Sequence, residues 1–414
     1  MNTLNTPVMN STFTRQAGSK QGFVIQAASS LTIMGAVMVA PMLPKLEAEF
    51  GQTGPQAADM VPLVATGPAL AIALFAPIAG LLADRFGRKN MLILGSVLYA
   101  LFGFLPAVLN DLNSILIARL VFGCAEAVIM TCCTTLIADY WNGEERSKYV
   151  NRQVVTIGIV GSIFFVIGGA AGETSWRYPF YLYLLPLLLL PIIVRALWEP
   201  PRRIERDTEV ESFSLGETMR TVASAYFLIF MGMVASFVVP VMAPGLLVAL
   251  GITSSSLIGL CTGLGLLATL AGSISWPLAR RMLGVAGVNA LMLALIALGL
   301  WLLADAASYA AVMVAVAIHG FGAGFLVPNA MLPLLRKLPV RFRARGVGGF
   351  TSSLYLGQFA SPLVIMGLAQ NFGAPPQGIG DAITLWSCVM LALAAIWAGL
   401  RFALPGPKRS TAAS

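Results

Sequence analysis

The sequence predicts an all-α polytopic membrane protein with twelve transmembrane helices in two six-helix bundles. Three observations carry that prediction. The 414 residues are 57% hydrophobic and 11% charged, whereas a soluble domain carries about 25% charged residues. Twelve apolar runs each approach the roughly 20 residues that a helix needs to cross the hydrocarbon. One mixed-charge stretch, Glu199-Pro-Pro-Arg-Arg-Ile-Glu-Arg-Asp-Thr-Glu-Val-Glu-Ser-Phe213, parts those runs six and six.

In chain order, residues 1–21 are polar, with Arg15 and Lys20 and no apolar core. They predict a cytosolic tail and not a cleaved signal peptide. The first bundle, 22–198, holds spans predicted at 22–44, 60–82, 91–109, 114–138, 152–172 and 178–197. The linker 199–220 carries both signs of charge and reads as solvated chain. The second bundle, 221–403, holds spans at 221–248, 253–278, 284–303, 308–334, 346–369 and 382–403, followed by a cytosolic tail at 404–414. Pro and Gly recur inside the spans, which membrane helices tolerate when neighbours re-satisfy the freed backbone groups.

Lys and Arg set the orientation. With both termini in the cytosol, 23 of the 26 basic residues fall on the cytosolic side. Lys45 and Arg177 lie outside, with Glu47, Glu49, Asp59, Asp111, Glu173, Asp305 and Asp381, and Arg119 lies within a span. The net charge of +8 is therefore a topology signal and a contact for anionic lipid, and nucleic acid is excluded as a partner. Cys124, Cys132, Cys133, Cys261 and Cys388 all sit in apolar runs, with no disulfide framework and no metal spacing.

The two halves read as a parallel repeat. An offset of 199 or 200 residues lays Pro41 on Pro240, Pro44 on Pro244, Gly51 on Gly251, Gly123 on Gly322, Arg146 on Arg345 and Gly168 on Gly367. Such a duplication suits two bundles that rock about a central site.

Charge inside the spans is sparse and therefore informative. Glu126 is the one acid at mid-membrane, where a charged side chain costs about 2.5–3.5 kcal/mol on insertion scales. Arg119 precedes it by seven residues, two turns along nearly the same face and about 10 Å of rise. Leaving water favours the neutral acid and a nearby guanidinium favours the carboxylate. Glu126 is thus a candidate to carry a proton or pair with a cationic substrate, with Arg119 tuning it; a structural pair that orients span four is the alternative. His319, Gln26, Asn329, Tyr355 and Gln358 are candidate cavity-lining groups, and equally candidate interhelical hydrogen bonds.

Between spans two and three runs Gly80-Leu-Leu-Ala-Asp-Arg-Phe-Gly-Arg-Lys-Asn90. It resembles the loop signature of the major facilitator superfamily at Gly80, Asp84, Arg85, Gly87, Arg88 and Lys89. The corresponding loop of the second half, Trp276-Pro-Leu-Ala-Arg-Arg-Met282, has bases but no acid. The resemblance implies that Asp84, Arg88 and Arg146 form a cytoplasmic latch that holds the halves together while the site faces outward. Gly80 allows a close helix approach there, and Asp84 faces the start of span eleven near Arg345. Arg119 with Gly123 resembles the family's span-four motif, in which the Arg is tied to proton coupling.

Span five, Gly158-Ile-Val-Gly-Ser-Ile-Phe-Phe-Val-Ile-Gly-Gly169, resembles the motif of the drug:proton antiporter branch at Gly161, Gly168 and Gly169. Phe164-Phe165 stands where Gly-Pro is expected, so the proline kink is absent, and small residues for close helix packing are the alternative reading of these glycines.

The function expected from all this is secondary active transport of a small molecule by alternating access, in a bacterial inner membrane. Proton-coupled efflux of a drug-like or amphipathic compound comes first, and proton-coupled uptake of a metabolite is the alternative. No cofactor is expected. One histidine cannot build a metalloenzyme centre, no soluble stretch is long enough for a receptor domain, and no G-x-x-x-x-G-K-[ST] motif binds ATP.

Overall fold

A computed structural model describes residues 17–52, 57–200, 215–373 and 375–403. The predicted tail ends and the middle of the linker lie outside the described residues. Among the described residues eleven helical stretches are long and apolar enough to cross a membrane. The first six are spans one to six: Ser19–Phe50, Leu63–Phe86, Arg88–Ala107, Leu112–Tyr140, Gly143–Ala171 and Tyr178–Ala196. Span seven is Thr218–Ala249, and the stretch after it, Ser255–Ala304, has 50 residues. At 1.5 Å per residue that is about 75 Å, more than twice the hydrocarbon thickness. Gly284 resolves the conflict. Its φ of 69° breaks the helix and separates span eight from span nine, a conformation that glycine adopts without strain. Tyr309–Lys337, Arg345–Ala369 and Gln377–Arg401 complete the set as spans ten to twelve. Twelve spans are the result.

Several predicted boundaries move, the largest shift being the start of span five, from 152 to Gly143. Span one does not stop at residue 44. A 3-10 turn over Ala40–Met42 leads into a further helix, Leu43–Phe50, because Pro41 and Pro44 sit in first-turn positions where a missing N–H costs nothing. Span seven's helix begins at Leu215, inside the predicted linker. Span ten is also interrupted, between Tyr309–Ala323 and Leu326–Lys337.

The bundles meet along spans five and eight, where glycine sets the distance. A Cβ on Gly169 would lie 2.3 Å from the Ser255 carbonyl oxygen, and one on Gly259 would lie 2.3 Å from that of Phe165. Gly168 also brings span five close to span one, though less tightly: a Cβ there would lie 3.0 Å from the Met38 carbonyl oxygen. Gly161 sits farther from this end and meets the side chains of Leu266 and Ile33 instead. The backbones therefore lie nearest at the end away from the chain termini, here termed the distal end; a Cβ on Gly263 would still lie 3.0 Å from the Ser162 carbonyl oxygen, and nearer the termini, at Gly158, the side chain of Leu270 intervenes. At the distal end Glu173 also bonds Ser254 and Ser256 across the two bundles. At mid-depth Ser352 Oγ of span eleven donates to the Ala73 carbonyl of span two at 2.8 Å.

The second bundle is tied at its other end by Asn329, fully buried in the latter part of span ten. Its Oδ1 accepts from Arg280 Nη1 at 2.8 Å and Trp276 Nε1 at 3.1 Å. Its Nδ2 donates to Asn289 Oδ1 at 2.6 Å and to the Val285 carbonyl at 3.1 Å. One amide thus joins spans eight, nine and ten with every bond it can make. We expect Asn329→Ala to lower the thermal stability of the purified protein, by about 1–3 kcal/mol for the stranded polar partners. A melting temperature within a degree of wild type would contradict that role.

Candidate functional site

Span four begins at Asp111, which caps it by accepting from Ser114 N at 2.8 Å. Two turns in, Arg119 is fully buried. Its Nε donates to the Val64 carbonyl of span two at 2.8 Å, and its Nη2 donates to the Gly35 carbonyl of span one. The guanidinium also lies over the Phe122 ring, 4.5 Å from the centroid, and 5.6 Å from that of Tyr183. Span one is interrupted here, between Ser19–Leu31 and Met34–Val37. Interrupted helices leave carbonyls that membrane lipid cannot satisfy. Tyr99 donates to the Leu31 carbonyl, as Arg119 does to that of Gly35, and Tyr183 adds a bond to the Met34 carbonyl, which also accepts from Met38 N.

Glu126 meets the same point on span one. A Cβ on Gly35 would fall 2.5 Å from Glu126 Oε2, so only a glycine leaves the carboxylate its place. Arg119 grips the Gly35 carbonyl while Glu126 packs on the Gly35 Cα. By the sequence spacing two turns of rise are long for a direct salt bridge, and among the described residues no ion pair joins the two; Arg119 Nη1 has no hydrogen-bond partner. The two turns of rise between them exceed what the side chains close.

Glu126 opens onto a central cavity of about 500 Å³ between the bundles. Spans one, four and five form one side and spans seven, eight, ten and eleven the other. Ile33, Val37, Phe165, Phe237, Leu266 and Leu354 make its walls apolar. Glu126 is its one charged lining residue, and no Lys or Arg faces it. Of the other predicted lining groups, His319, Tyr355 and Gln358 are here. His319 Nε2 lies 3.2 Å from the Ala235 carbonyl, and Tyr355 Oη donates to Met130 Sδ at 3.2 Å, so both also hold neighbouring spans.

Asn329 does not line the cavity. The interruption of span ten carries its amide into the hydrogen-bonded cluster described above. Gln26 lines a separate vestibule of about 780 Å³ at the termini-bearing end, with Glu144, Glu145, Lys148, Asn151 and Arg152. That vestibule ends at Val155 and Thr156, next to Ile157 of the central cavity. Ser236, Thr262 and Thr269 line the cavity without having been singled out in the sequence. Thr262 and Thr269 bond carbonyls of their own helix, at 2.9 Å each, which is the pattern of any hydroxyl in an apolar helix.

The loop after span two is built within the first bundle. Asp84 Oδ1 accepts from Arg88 Nη2 at 2.9 Å, and Arg88 Nε lies 3.5 Å from Asp139 Oδ2 of span four. Glu199 caps span three, accepting from Arg88 N at 2.7 Å and Lys89 N at 3.0 Å. Gly87 makes the turn with φ of 95°. Gly80 lies close to span four, where a Cβ would be 3.9 Å from Thr131 Cγ2. Asp139 and Glu199 belong to this cluster, and neither was legible in the sequence, since their partners lie on distant spans. Asp84 pairs with Arg88 and not with span eleven, its side chain is 66% exposed, and Arg146 is exposed and outside the cluster. The reason lies in the shape of the protein: the bundles are sealed at the distal end, the opposite of the arrangement in which the latch is expected to close.

With this geometry in view, known proteins offer a comparison. The family model of the Major Facilitator Superfamily matches residues 27–362. The quinolone resistance protein NorA of Staphylococcus aureus is 31% identical over 166 residues, 39% of this chain and 41% of NorA. Multidrug resistance protein 1 of Bacillus subtilis is 28% identical over 204 residues, 49% of this chain and 50% of that protein. The matched segments thus span about half or less of these relatives. Among solved structures, a D-xylose-proton symporter superposes with a TM-score of 0.76 at 15% identity, covering 92% of this chain and 97% of the symporter. A bacterial homologue of the human lysosomal transporter Spinster, in an inward-facing conformation, gives 0.71 at 15% identity, covering 93% and 96%. At such identity these two speak for the fold alone. The loop signature, the duplicated bundles, the cavity between them and a family model that matches most of the chain agree: the chain belongs to the major facilitator superfamily.

Proposed function

We propose that the protein is a secondary transporter that exports a small drug-like or amphipathic molecule in exchange for protons. It sits in a bacterial inner membrane with both termini in the cytosol, and the described state faces inward. The observation that carries this reading is a single carboxylate, Glu126, in a largely apolar cavity of about 500 Å³ whose other described lining groups are uncharged. Among the described residues Glu126 accepts no hydrogen bond and joins no ion pair. A buried acid without a fixed partner is costly to keep charged and is free to exchange a proton or to pair with a cationic guest. The apolar walls suit the lipophilic part of such a guest. Partial identity to two drug-resistance proteins supports efflux. Arg119 holds span one in place beneath Glu126 and so positions the carboxylate.

The decisive measurement is flux in proteoliposomes with a pH gradient imposed in either direction, using a lipophilic cation such as ethidium as probe. Wild-type protein is expected to move it against the proton gradient, and Glu126→Gln to lose proton-driven flux by tenfold or more while still inserting. Unchanged gradient-driven flux in Glu126→Gln would sink the assignment, and flux in the direction of the proton gradient would favour uptake.

The loop signature supplies a second test. Asp84→Asn removes the acid that Arg88 holds and that the outward-facing latch requires. We expect normal insertion with severalfold slower transport, measured in the same liposomes; full activity would reduce the loop to a turn.

A further inference from the structure

Among the described residues the distal seal has one charged pin. Glu173 lies just beyond span five, and its Oε2 accepts from Ser256 N at 2.8 Å, Ser256 Oγ at 2.9 Å and Ser254 Oγ at 3.2 Å. Those donors form the start of span eight, in the other bundle. Lys45, at the end of span one, donates to the Gly172 carbonyl at 2.7 Å and to the Glu173 carbonyl. The loop that presents the carboxylate is therefore held from its own side. Directly beneath, Gly169 and Gly259 let the two backbones touch. The described hydrogen bonds at mid-depth between bundles, from Ser352 and Tyr355, come from neutral side chains. Charge-assisted bonds are roughly twice as strong as neutral ones.

We propose that Glu173 is a positioning residue for transport: its ionised carboxylate pins span eight to span five and sets how often the cavity opens at the distal face. The inference rests on alternating access between two bundles and on no particular substrate or coupling ion. It also gives the distal face a sense of acidity. The Ser256 N–H, more than the smaller opposing effect of burial, holds the Glu173 carboxyl below its ordinary range, with the two serine hydroxyls and Lys45 adding to it. The pin is therefore complete above the ordinary carboxylate range and is lost as pH at that face falls through the lowered value. The charged groups around it are Lys45 from span one and, along its own loop, Arg177, which pairs with Glu49 at 3.1 Å. Span ten contributes the Tyr309 hydroxyl, which donates to the Leu257 carbonyl one turn into span eight.

The test is a distance measurement on the full-length protein. Spin labels at Gln52→Cys and Thr253→Cys, both exposed at the distal end and in different bundles, report its opening. Cys124 and Cys388, the native cysteines that are not buried, are replaced by serine. In wild type the short distance dominates at neutral pH, and the long distance gains population as pH drops below the carboxylate range. Glu173→Ala is expected to raise the ratio of long to short populations roughly tenfold or more, and to make it independent of pH. Glu173→Gln, which keeps an acceptor oxygen, falls between and is likewise flat. A Ser254→Ala/Ser256→Ala double variant should reproduce the shift from the other side of the seam, and it serves should Glu173→Ala fold poorly. Distances that match wild type at every pH in these variants would overturn the proposal. A shifted ratio in protein that moves no ethidium would leave the pin standing and count against the export reading alone.

Discussion

The structure depends on satisfying backbone carbonyls where span one is broken. A straight first helix would bond its own carbonyls and need no help from its neighbours. The interruption near Thr32 instead hands the Leu31 carbonyl to Tyr99 and the Gly35 carbonyl to Arg119, while Tyr183 adds a bond to the Met34 carbonyl, which also accepts from Met38 N. In hydrocarbon no water can take their place. A fully buried guanidinium is thereby useful: its fork grips spans one and two while its faces rest on Phe122 and Tyr183. Everything at the cavity floor follows. Gly35 is held at the one spacing that admits Glu126, and the carboxylate is left facing the space between the bundles.

The division of labour between the bundles follows from chemistry at that floor. The first bundle supplies the charge, with Glu126 seated by Arg119. The second supplies much of the apolar wall, together with the weaker polar groups His319, Tyr355 and Gln358. Its own buried polar cluster around Asn329 lies away from the cavity and keeps spans eight, nine and ten together as one body. Rigid bundles with a soft interface are what rocking motion needs, because packed interiors do not deform continuously. Along spans five and eight the interface is graded, with backbone contact at the distal end and side-chain contact farther in. Glycine places the hinge-like contact, and Glu173 adds the one charged tie above it.

Much of the architecture was legible because it is written locally. Span length is a property of about 20 consecutive residues, and the mixed-charge break at 199–213 needs no three-dimensional knowledge to be seen. The division of Ser255–Ala304 was legible as well, since Arg280 and Arg281 interrupt the apolar run between the predicted spans 253–278 and 284–303, and the structure places the break itself at Gly284. The candidate site was legible in part. Glu126 stood out as the single acid at mid-membrane, and burial is what made it notable. Asn329 and Gln26 were indistinguishable from lining groups, because a polar residue in a span has the same sequence signature whichever way its helix is turned. Asp139, Glu199 and the Glu173–Ser256 tie were invisible for a related reason: each joins residues that are tens of positions apart.

By itself, then, the sequence determined the helical class, the count of spans, the two halves and the membership of Glu126 and Arg119 in one buried face of span four. Hydrophobic length and helical period are local quantities, and they survive any packing. The tertiary structure alone decided which polar groups meet the cavity, that Arg119 bonds backbone carbonyls and forms no ion pair with Glu126, that Asp84 turns to Arg88, and that the distal end is the closed one. Those depend on where helices break and how they rotate against one another. A broken helix exchanges its own hydrogen bonds for partners from elsewhere in the chain, and no local pattern names them.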